Sequence, residues 1–556
     1  MTEKWDAIIV GSGAGGGTAA HVLTRRGKRV LVLERGPAKT AEDFLPYDEL
    51  HFWAHKSLIP HKTNDPMIYV DGKGNRNKSE RWWEANMVGG STMIWDANFP
   101  RYTDEDFAVT QYVKDLPNSD AMVDWPWTYE EFVPYFKKAE RDWCVSGDNQ
   151  DSTEMESLRN GTIDREYDYP MPPLRLHSST TFLKDIFRKA GMRPYVGARA
   201  INSQTFDSRP ACSFCGYNQL FGCAVNSRAN SGNTVLRKAL STGLCDLRTG
   251  HYVTRLLFDT GNNGKPGKIR GVRYVTNPGS DEKTFEAPLV FVSVQTIQSA
   301  RLFLYSEIPD PPKLIGRFLT YHPKGDLHLT FKGMPVWDAG PQFQPRTAIG
   351  SLQLRGLYTY EDGGMRRKGG KFSVYDPYTC IPPLHLVQGA SLSESKKNVW
   401  GRELVDYLSE LRSQGGVSFS FTGEAISRLD NRVEIEDSDG VKDPWGIPVA
   451  RTFYQHDKND QEVSTYALKR VADIMTAAGG EVRKFEPQGK ENPGYGHVHG
   501  ALRAGTDPGK SVLDANCQSH TVKGLYVLDA AFMPTAGASN PSITLIANAY
   551  RVCETV

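Results

Sequence analysis

The sequence predicts a two-part α/β (α+β) chain, with a parallel-sheet domain of the dinucleotide-binding kind and a second domain built on a large antiparallel sheet. Three observations predict it. A strand, a glycine loop, a helix, a second strand and an acid follow in register within the first thirty-four residues. Continuous apolar strands return near residues 290 and 525, far from the first. Between them, residues 325 to 450 alternate apolar and polar side chains, broken by Gly/Pro loops, as antiparallel strands do.

The N-terminal unit is the most informative. Trp5–Val10 reads as a buried strand and runs into Gly11-Ser12-Gly13-Ala14-Gly15-Gly16. Thr18 to Arg26 then reads as a helix, and Arg29 to Leu33 as a strand ending at Glu34, twenty-three positions after Gly11. Gly11 permits the tight turn, Gly13 a close phosphate approach, and Gly16 the packing of helix on strand. Free N–H groups at the helix start favour a diphosphate. Glu34 suits a ribose diol, and Ala14 and Arg35 complete this set of candidate contacts.

Further elements follow in order. Asp43 to Ser79 is polar and aromatic and reads as loop. Gly89-Gly90-Ser91-Thr92 forms a second tight turn. Tyr129 to Trp143 has acids early, bases late and a helical apolar rhythm. Pro170 to Pro173 is a stiff linker; Thr181–Ala190 and Asn233–Ala239, the latter behind Ser231, read as helices. Leu247 to Val275 alternates like antiparallel strands around a turn at 261–264. Leu289–Val294 is a buried strand, Thr296–Tyr305 a helix, and Val463–Ala478 a long helix. Gly524–Leu528 is a last buried strand, ending in Asp529-Ala530, and a final helix starts at Ser542. The parallel-sheet domain is expected from 1–50, 80–110, 210–315 and 485–556, and the second domain from 111–209 and 316–484.

With 556 residues and a net charge of +1, the chain has ample core and no global field favouring nucleic acid or an anionic membrane. No run of eighteen apolar residues and no leader pattern occurs, so direct membrane insertion is not expected. The expected location is cytoplasmic, or periplasmic by co-export with a partner subunit. Of eight cysteines, Cys212, Cys215 and Cys223 cluster. A fourth metal ligand is missing nearby, so structural thiols or one local disulfide are expected and no metal.

Val88–Tyr102 (VGGSTMIWDANFPRY), Arg209-Pro210 before Cys212, Ile315-Gly316-Arg317 with His322-Pro323, His497 in HVHGALRAGTD and Asn540 in PTAGASNPSITLIA resemble the glucose-methanol-choline (GMC) oxidoreductase family over essentially the whole chain. The branch most resembled is that of bacterial FAD-dependent glucose, fructose and gluconate dehydrogenase catalytic subunits, with pyranose oxidase more distant.

The resemblance implies a Rossmann-like FAD-binding domain and a hydroxyl-oxidising site. His497 would be the base, since a neutral imidazole can take a hydroxyl proton, and Asn540 would hold the substrate oxygen. The family uses Val253 at the adenine, and Asp529-Ala530 near the ribityl or pyrophosphate. The last helix, from Pro541 to Thr544 onward, would face the flavin N1–O2 edge. Ser91 and Thr92 would touch the diphosphate or ribityl chain. Trp95, Glu424 and His499 are candidate substrate contacts, with Phe419 and Phe421 as wall or core.

Two departures stand out. Ile94 stands where some relatives have a flavin-linked His, so FAD is expected to be non-covalent. Gln295 stands where small residues are usual. The implied reaction is oxidation of a sugar or glycoside hydroxyl to a ketone or lactone, with electrons passed to a non-oxygen acceptor through a small accessory or electron-transfer subunit. An oxygen-using oxidase is the alternative, and a non-catalytic flavin-binding subunit the alternative of another class.

Overall fold

The computed structural model describes residues 4–44, 58–79 except 64, 84–148 except 114, 169–215 except 177 and 193, 221–261, 266–332, 352–375 except 363 and 364, 401–406, 414–435, 440–489 and 497–556. In chain order the main elements are β1 (Ala7–Val10), α1 (Ala14–Arg25), β2 (Val30–Leu33), β3 (Cys245–Arg248), β4 (Val290–Val292), α2 (Thr296–Tyr305), β5 (Lys324–Lys332), β6 (Gly370–Tyr375), β7 (Gln414–Gly423), α3 (Lys458–Ala477), β8 (Gly480–Glu486), β9 (Leu525–Val527) and α4 (Ser542–Thr555).

The parallel sheet runs β9-β4-β1-β2-β3. β1, β2, β4 and β9 are fully buried, as two-faced strands must be when helices cover both sides. β1 lies between β2 and β4, with Ile9 opposite both Val32 and Phe291. The chain leaves β1 in one direction and returns beside it in the other. Such a switch point opens a crevice beyond the strands' C-terminal ends, where ligands of this sheet class bind. The predicted strands near 290 and 525 are therefore sheet neighbours of the first.

The antiparallel sheet has the order β8-β5-β7-β6, continued by Leu352–Leu354 and Pro194–Val196. One face buries Leu327, Leu329, Phe372, Val374, Val417, Phe419 and Phe421 against Val463, Leu468, Val471 and Met475 of α3. Phe419 and Phe421 are thus core. Alternation sends Lys324, Asp326, Ser373, Ser420 and Thr422 to the other face, since neighbouring residues on a strand point to opposite sides. The register makes them one wall: Lys324 pairs Thr422, and Asp326 and Ser373 both pair Ser420.

Several boundaries differ from expectation. Met67–Val70 and Arg76–Ser79 form a hairpin inside the segment expected to be loop, in a sheet with Arg451–Phe453 and Arg432–Glu434. Met67–Val70 is anchored on Arg451–Phe453, almost four hundred residues away, and Arg76–Ser79 is the edge strand beside it. Residues 245–248 join the parallel sheet instead of opening the antiparallel pair, which is Tyr252–Asp259 with Gly267–Val275. The turn residues 262–264 lie outside the described residues. The long helix begins five residues early, at Lys458, because Asp457 caps it and Asp460 returns the bond to the cap. Among the described residues no helix is long and apolar enough to cross a membrane, and no disulfide joins Cys212, Cys215 and Cys223.

Candidate active site

A cavity of about 820 Å³ runs from the switch point to the polar wall, lined by Gly11–Gly15, Glu34, Arg35, Ser91, Thr92, Val253, Gln295, Asp529, His497 and Asn540, among others. Its size suits a large cofactor with a small substrate beside it.

The glycine loop is built as the spacing requires. Gly11 has φ +91°, and a Cβ there would stand 2.4 Å from the Ser293 carbonyl. A Cβ on Gly16 would stand 2.0 Å from the Gly11 carbonyl, so α1 packs on β1 only without one. A Cβ on Gly13 would meet nothing within 4 Å, because it points into the cavity. Gly16 and Gly89 do not line the cavity. Gly89 instead donates its N–H to Ser12 Oγ at 3.0 Å, closing the second turn over the first.

Glu34 is buried, and three protein groups donate to its carboxylate: Ser12 Oγ at 2.6 Å, Ser12 N at 3.1 Å and Gly36 N at 2.8 Å. A carboxylate has about four acceptor positions, which leaves about one for a hydroxyl in the cavity. Burial pushes its pKa up against these bonds. Arg35 stacks on Tyr252 and Trp445 and bonds Asp65 at 3.1 Å, walling the cavity's far end.

Asp529 takes the Ser299 hydroxyl and the Ala531 N–H. Backbone bonds from Val294 and Gln295 also reach it, and burial carries its pKa to about 6. Gln295 itself sits at φ +82° and caps α2 through its own Oε1, which accepts from Ile297 N at 2.8 Å. A non-glycine residue in the left-handed region is strained and is kept only where its surroundings over-determine it. The side-chain cap and the Asp529 bond do so, which accounts for a glutamine where a small residue was expected.

At the wall end, His497 Nε2 lies 3.1 Å from Asn540 Nδ2, and both residues line the cavity. His497 Nδ1 lies 2.9 Å from His322 Nδ1 and 3.3 Å from Lys324 Nζ. Burial, then the Lys324 charge, holds the His497 pKa well below the usual histidine value. Burial also brings Lys324 down to about 8, against the pull of Asp326 and Asp96. Replacing Lys324 by Met removes the nearest like charge. The acid limb of the pH–rate profile is then expected to move up by about 1–3 pH units, as His497 takes a proton more readily. An unmoved limb would show that the Lys324 charge does not reach His497.

The loop from Thr535 to Asn540 positions this pair. Ala536 O accepts from Tyr102 Oη and from His322 Nε2. Ala536 N donates to Glu424 Oε1 at 3.1 Å, and Ala538 N to Asp106 Oδ1 at 3.0 Å. Trp125 Nε1 donates to Thr535 Oγ1. Asp106 is fully buried and also takes Lys368 Nζ at 2.9 Å and the Tyr358 hydroxyl.

Three expected contacts are placed elsewhere. Glu424 stands behind the loop rather than on the cavity, and burial, then Asp106, pushes its pKa to about 8. His499 is fully buried off the cavity, with its ring 4.6 Å from that of His322. Thr544 is buried inside α4, whereas Pro541, Ser542 and Leu545 line the cavity with Ala530. Trp95 does line it, its Nε1 donating to Ala229 O at 2.9 Å. Sequence reasoning missed Lys324, Asp326, Ser373, Ser420 and Thr422. Their strand alternation was visible, but the face they point to was not.

The fold is shared with formate oxidase (14% identity, TM-score 0.64, covering 100% of this chain and 98% of that one). It is shared as well with pyridoxine 4-oxidase from Mesorbium loti (17%, TM-score 0.62, 99% of each). Curated relatives include 6'''-hydroxyparomomycin C oxidase of Streptomyces lividus, 26% identical over 99% of this chain and 91% of that protein. Another is the fructose dehydrogenase large subunit of Gluconobacter japonicus, 22% identical over 100% and 98%. The family pattern for GMC oxidoreductases matches residues 5–324 with its N-terminal part and 427–549 with its C-terminal part, and the chain belongs to that family of oxidoreductases.

Proposed function

We propose that the protein oxidises a hydroxyl of a sugar or glycoside to a ketone or lactone, using non-covalently held FAD and a non-oxygen final acceptor. The observation that carries this reading is the His497–Asn540 pair, set where the dinucleotide crevice meets the polar wall.

The residues present fit FAD. The space before Gly13 is open for a diphosphate, the α1 N-terminus faces it, and Glu34 keeps a position for a ribose hydroxyl. Pro541 and Ser542 bring the unpaired N–H groups of α4 to the cavity. Bound FAD supplies two-electron acceptance from the carbinol carbon. Ile94 is fully buried in a separate apolar cluster with Met93 and Phe44, which supports non-covalent binding.

The chain's own part is orientation and proton transfer. Lys324, Asp326, Ser373, Ser420 and Thr422 offer donors and acceptors to a polyhydroxylated ring. His497, held neutral, takes the hydroxyl proton on Nε2, and the Asn540 amide holds the oxygen. Relatives whose names specify paromamine and fructose support a sugar-like substrate. The large-subunit name of the fructose relative supports an accessory electron-transfer subunit.

The deciding experiment is an anaerobic absorbance titration of the purified protein with a panel of sugars and glycosides. The expected result is that one of them bleaches the flavin and that air restores the colour slowly. A yellow protein that no sugar bleaches would overturn the substrate class. Two Streptomyces relatives are oxidases, which supports oxygen as the alternative acceptor. Prompt recolouring with peroxide would establish that reading instead.

The cofactor placement has its own test. Gly13→Val puts a branched side chain into the open cavity at φ −67°, which valine accepts. The variant is expected to fold with stability changed by about 0.5 kcal/mol or less, yet to purify without flavin. A yellow Gly13→Val protein would place the diphosphate elsewhere.

A further inference from the structure

The proton between the two facing imidazoles has only one self-consistent position. His322 Nε2 lies 3.0 Å from Ala536 O, a group that only accepts, so Nε2 carries a proton. His322 is fully buried, and burial, then His499, His497 and Lys324, keeps it from taking a second proton. Its Nδ1 is therefore a bare lone pair, aimed at His497 Nδ1 from 2.9 Å. Two lone pairs would repel at that distance, so His497 Nδ1 must hold the proton and donate it. Lys324 Nζ, 3.3 Å away, cannot donate to a protonated nitrogen. It donates to Thr422 Oγ1 at 2.9 Å and acts on His497 through charge alone.

We propose that His322 is a positioning residue that locks His497 in the Nδ1–H tautomer, leaving the Nε2 lone pair directed at Asn540 and the cavity. This rests on His497 being the base. The step is a plain proton transfer: the substrate O–H breaks, its proton bonds to His497 Nε2, and the resulting imidazolium still donates from Nδ1 to His322. His322 gains no proton, because burial and the neighbouring charges disfavour its imidazolium, while its Nε2–H goes on donating to the Ala536 carbonyl.

The Ala536 carbonyl belongs to the same loop as Asn540. One backbone group thus ties the tautomer of the base to the placement of its partner. The charged and titratable groups around His497 come from three strands: Lys324 on β5, Lys371 on β6 and His499 on its own strand. None of them offers an acceptor to Nδ1 at the His322 position. Without His322, Nδ1 loses its acceptor, and only the Asn540 Nδ2–H, 3.1 Å from Nε2, still opposes a proton at Nε2, where it would block the base.

The test uses the flavin-loaded enzyme and His322→Phe, His322→Gln and His497→Ala variants. Stopped-flow flavin reduction is read across pH with whichever sugar bleaches the wild type, together with ¹⁵N spectra of histidine-labelled protein. Wild type is expected to show His497 protonated at Nδ1 and bare at Nε2. His322→Phe should retain flavin and substrate affinity but reduce about 10²-fold more slowly or worse, as a mis-set tautomer does in a Ser–His–Asp triad. His322→Gln, whose amide can both donate and accept, should recover part of that rate. His497 protonated at Nε2 in wild type, or wild-type rates in His322→Phe beside a dead His497→Ala, would overturn the lock alone. Wild-type rates in His497→Ala would instead overturn the base. If His322→Phe lost its flavin, the ¹⁵N assignment in wild type and the His322→Gln rates would still decide.

Discussion

His497→Ala is expected to lower the rate of flavin reduction by substrate about 10²- to 10⁴-fold, the range for loss of a general base. The Nε2 atom stands 3.1 Å from Asn540 Nδ2 at the cavity wall, and among the described residues the one other histidine lining the cavity is His251, beside Val253. His322 is turned toward Ala536, and His499 is packed behind it. Turnover and its ratio to KM should fall together, which marks an interaction made in the transition state. Flavin content and substrate affinity should change little, since the contact proposed for His497 is with the reacting hydroxyl alone. Stopped-flow reduction under anaerobic conditions reads this directly. Rates within a few-fold of wild type would remove His497 from the chemistry.

The second large effect is on stability. Asp106→Ala is expected to cost about 3–5 kcal/mol, the usual penalty for breaking one side of a buried ion pair. Lys368 would keep its charge with no exposed surface to hydrate it, and the Tyr358 hydroxyl and Ala538 N–H would lose their acceptor. Asn540 follows Ala538 by two residues, so the variant should also lose substrate oxidation before it unfolds. Denaturant unfolding of flavin-loaded protein would check the magnitude. A loss below about 1 kcal/mol would make the pair no stronger than a surface contact.

The same residue sets a pH limit. Burial alone would raise the Asp106 pKa, but the Lys368 charge and the bonds from Tyr358 and Thr103 hold it below its ordinary value. A carboxylate depressed in the folded state contributes stability that is present above its unfolded pKa and is lost as pH falls through the folded one. Acid unfolding of wild type should therefore be steeper than that of Asp106→Ala.

How much of this was legible in the sequence differs by element. The glycine loop, α1, Glu34 and the strands near 290 and 525 were readable because each is local: a period, a turn or an acid at a fixed offset. The resemblance of HVHGALRAGTD and PTAGASNPSITLIA put His497 and Asn540 together before any geometry did. His499 was misplaced for the opposite reason. Two residues apart share a face only within one regular strand, and the strand here is Val498–His499 alone, so His497 lies outside it. Glu424 was readable as a strand acid, but its direction depends on the loop from Thr535 to Asn540, more than a hundred residues later.

The sequence by itself determined the parallel-sheet unit, the glycine loop and the two residues that meet at the polar-wall end of the cavity, since hydrophobic period, glycine placement and motif are properties of short stretches. Tertiary structure alone decided which face of β5, β6 and β7 became the polar wall and that Asp106 and Glu424 hold the loop from Thr535 to Asn540. It alone decided that His322 meets His497 across 175 residues of chain. A strand's alternation has two equivalent faces, and a buried charge has no partner until the fold supplies one. Only packing against α3 and the closing of that loop break the tie.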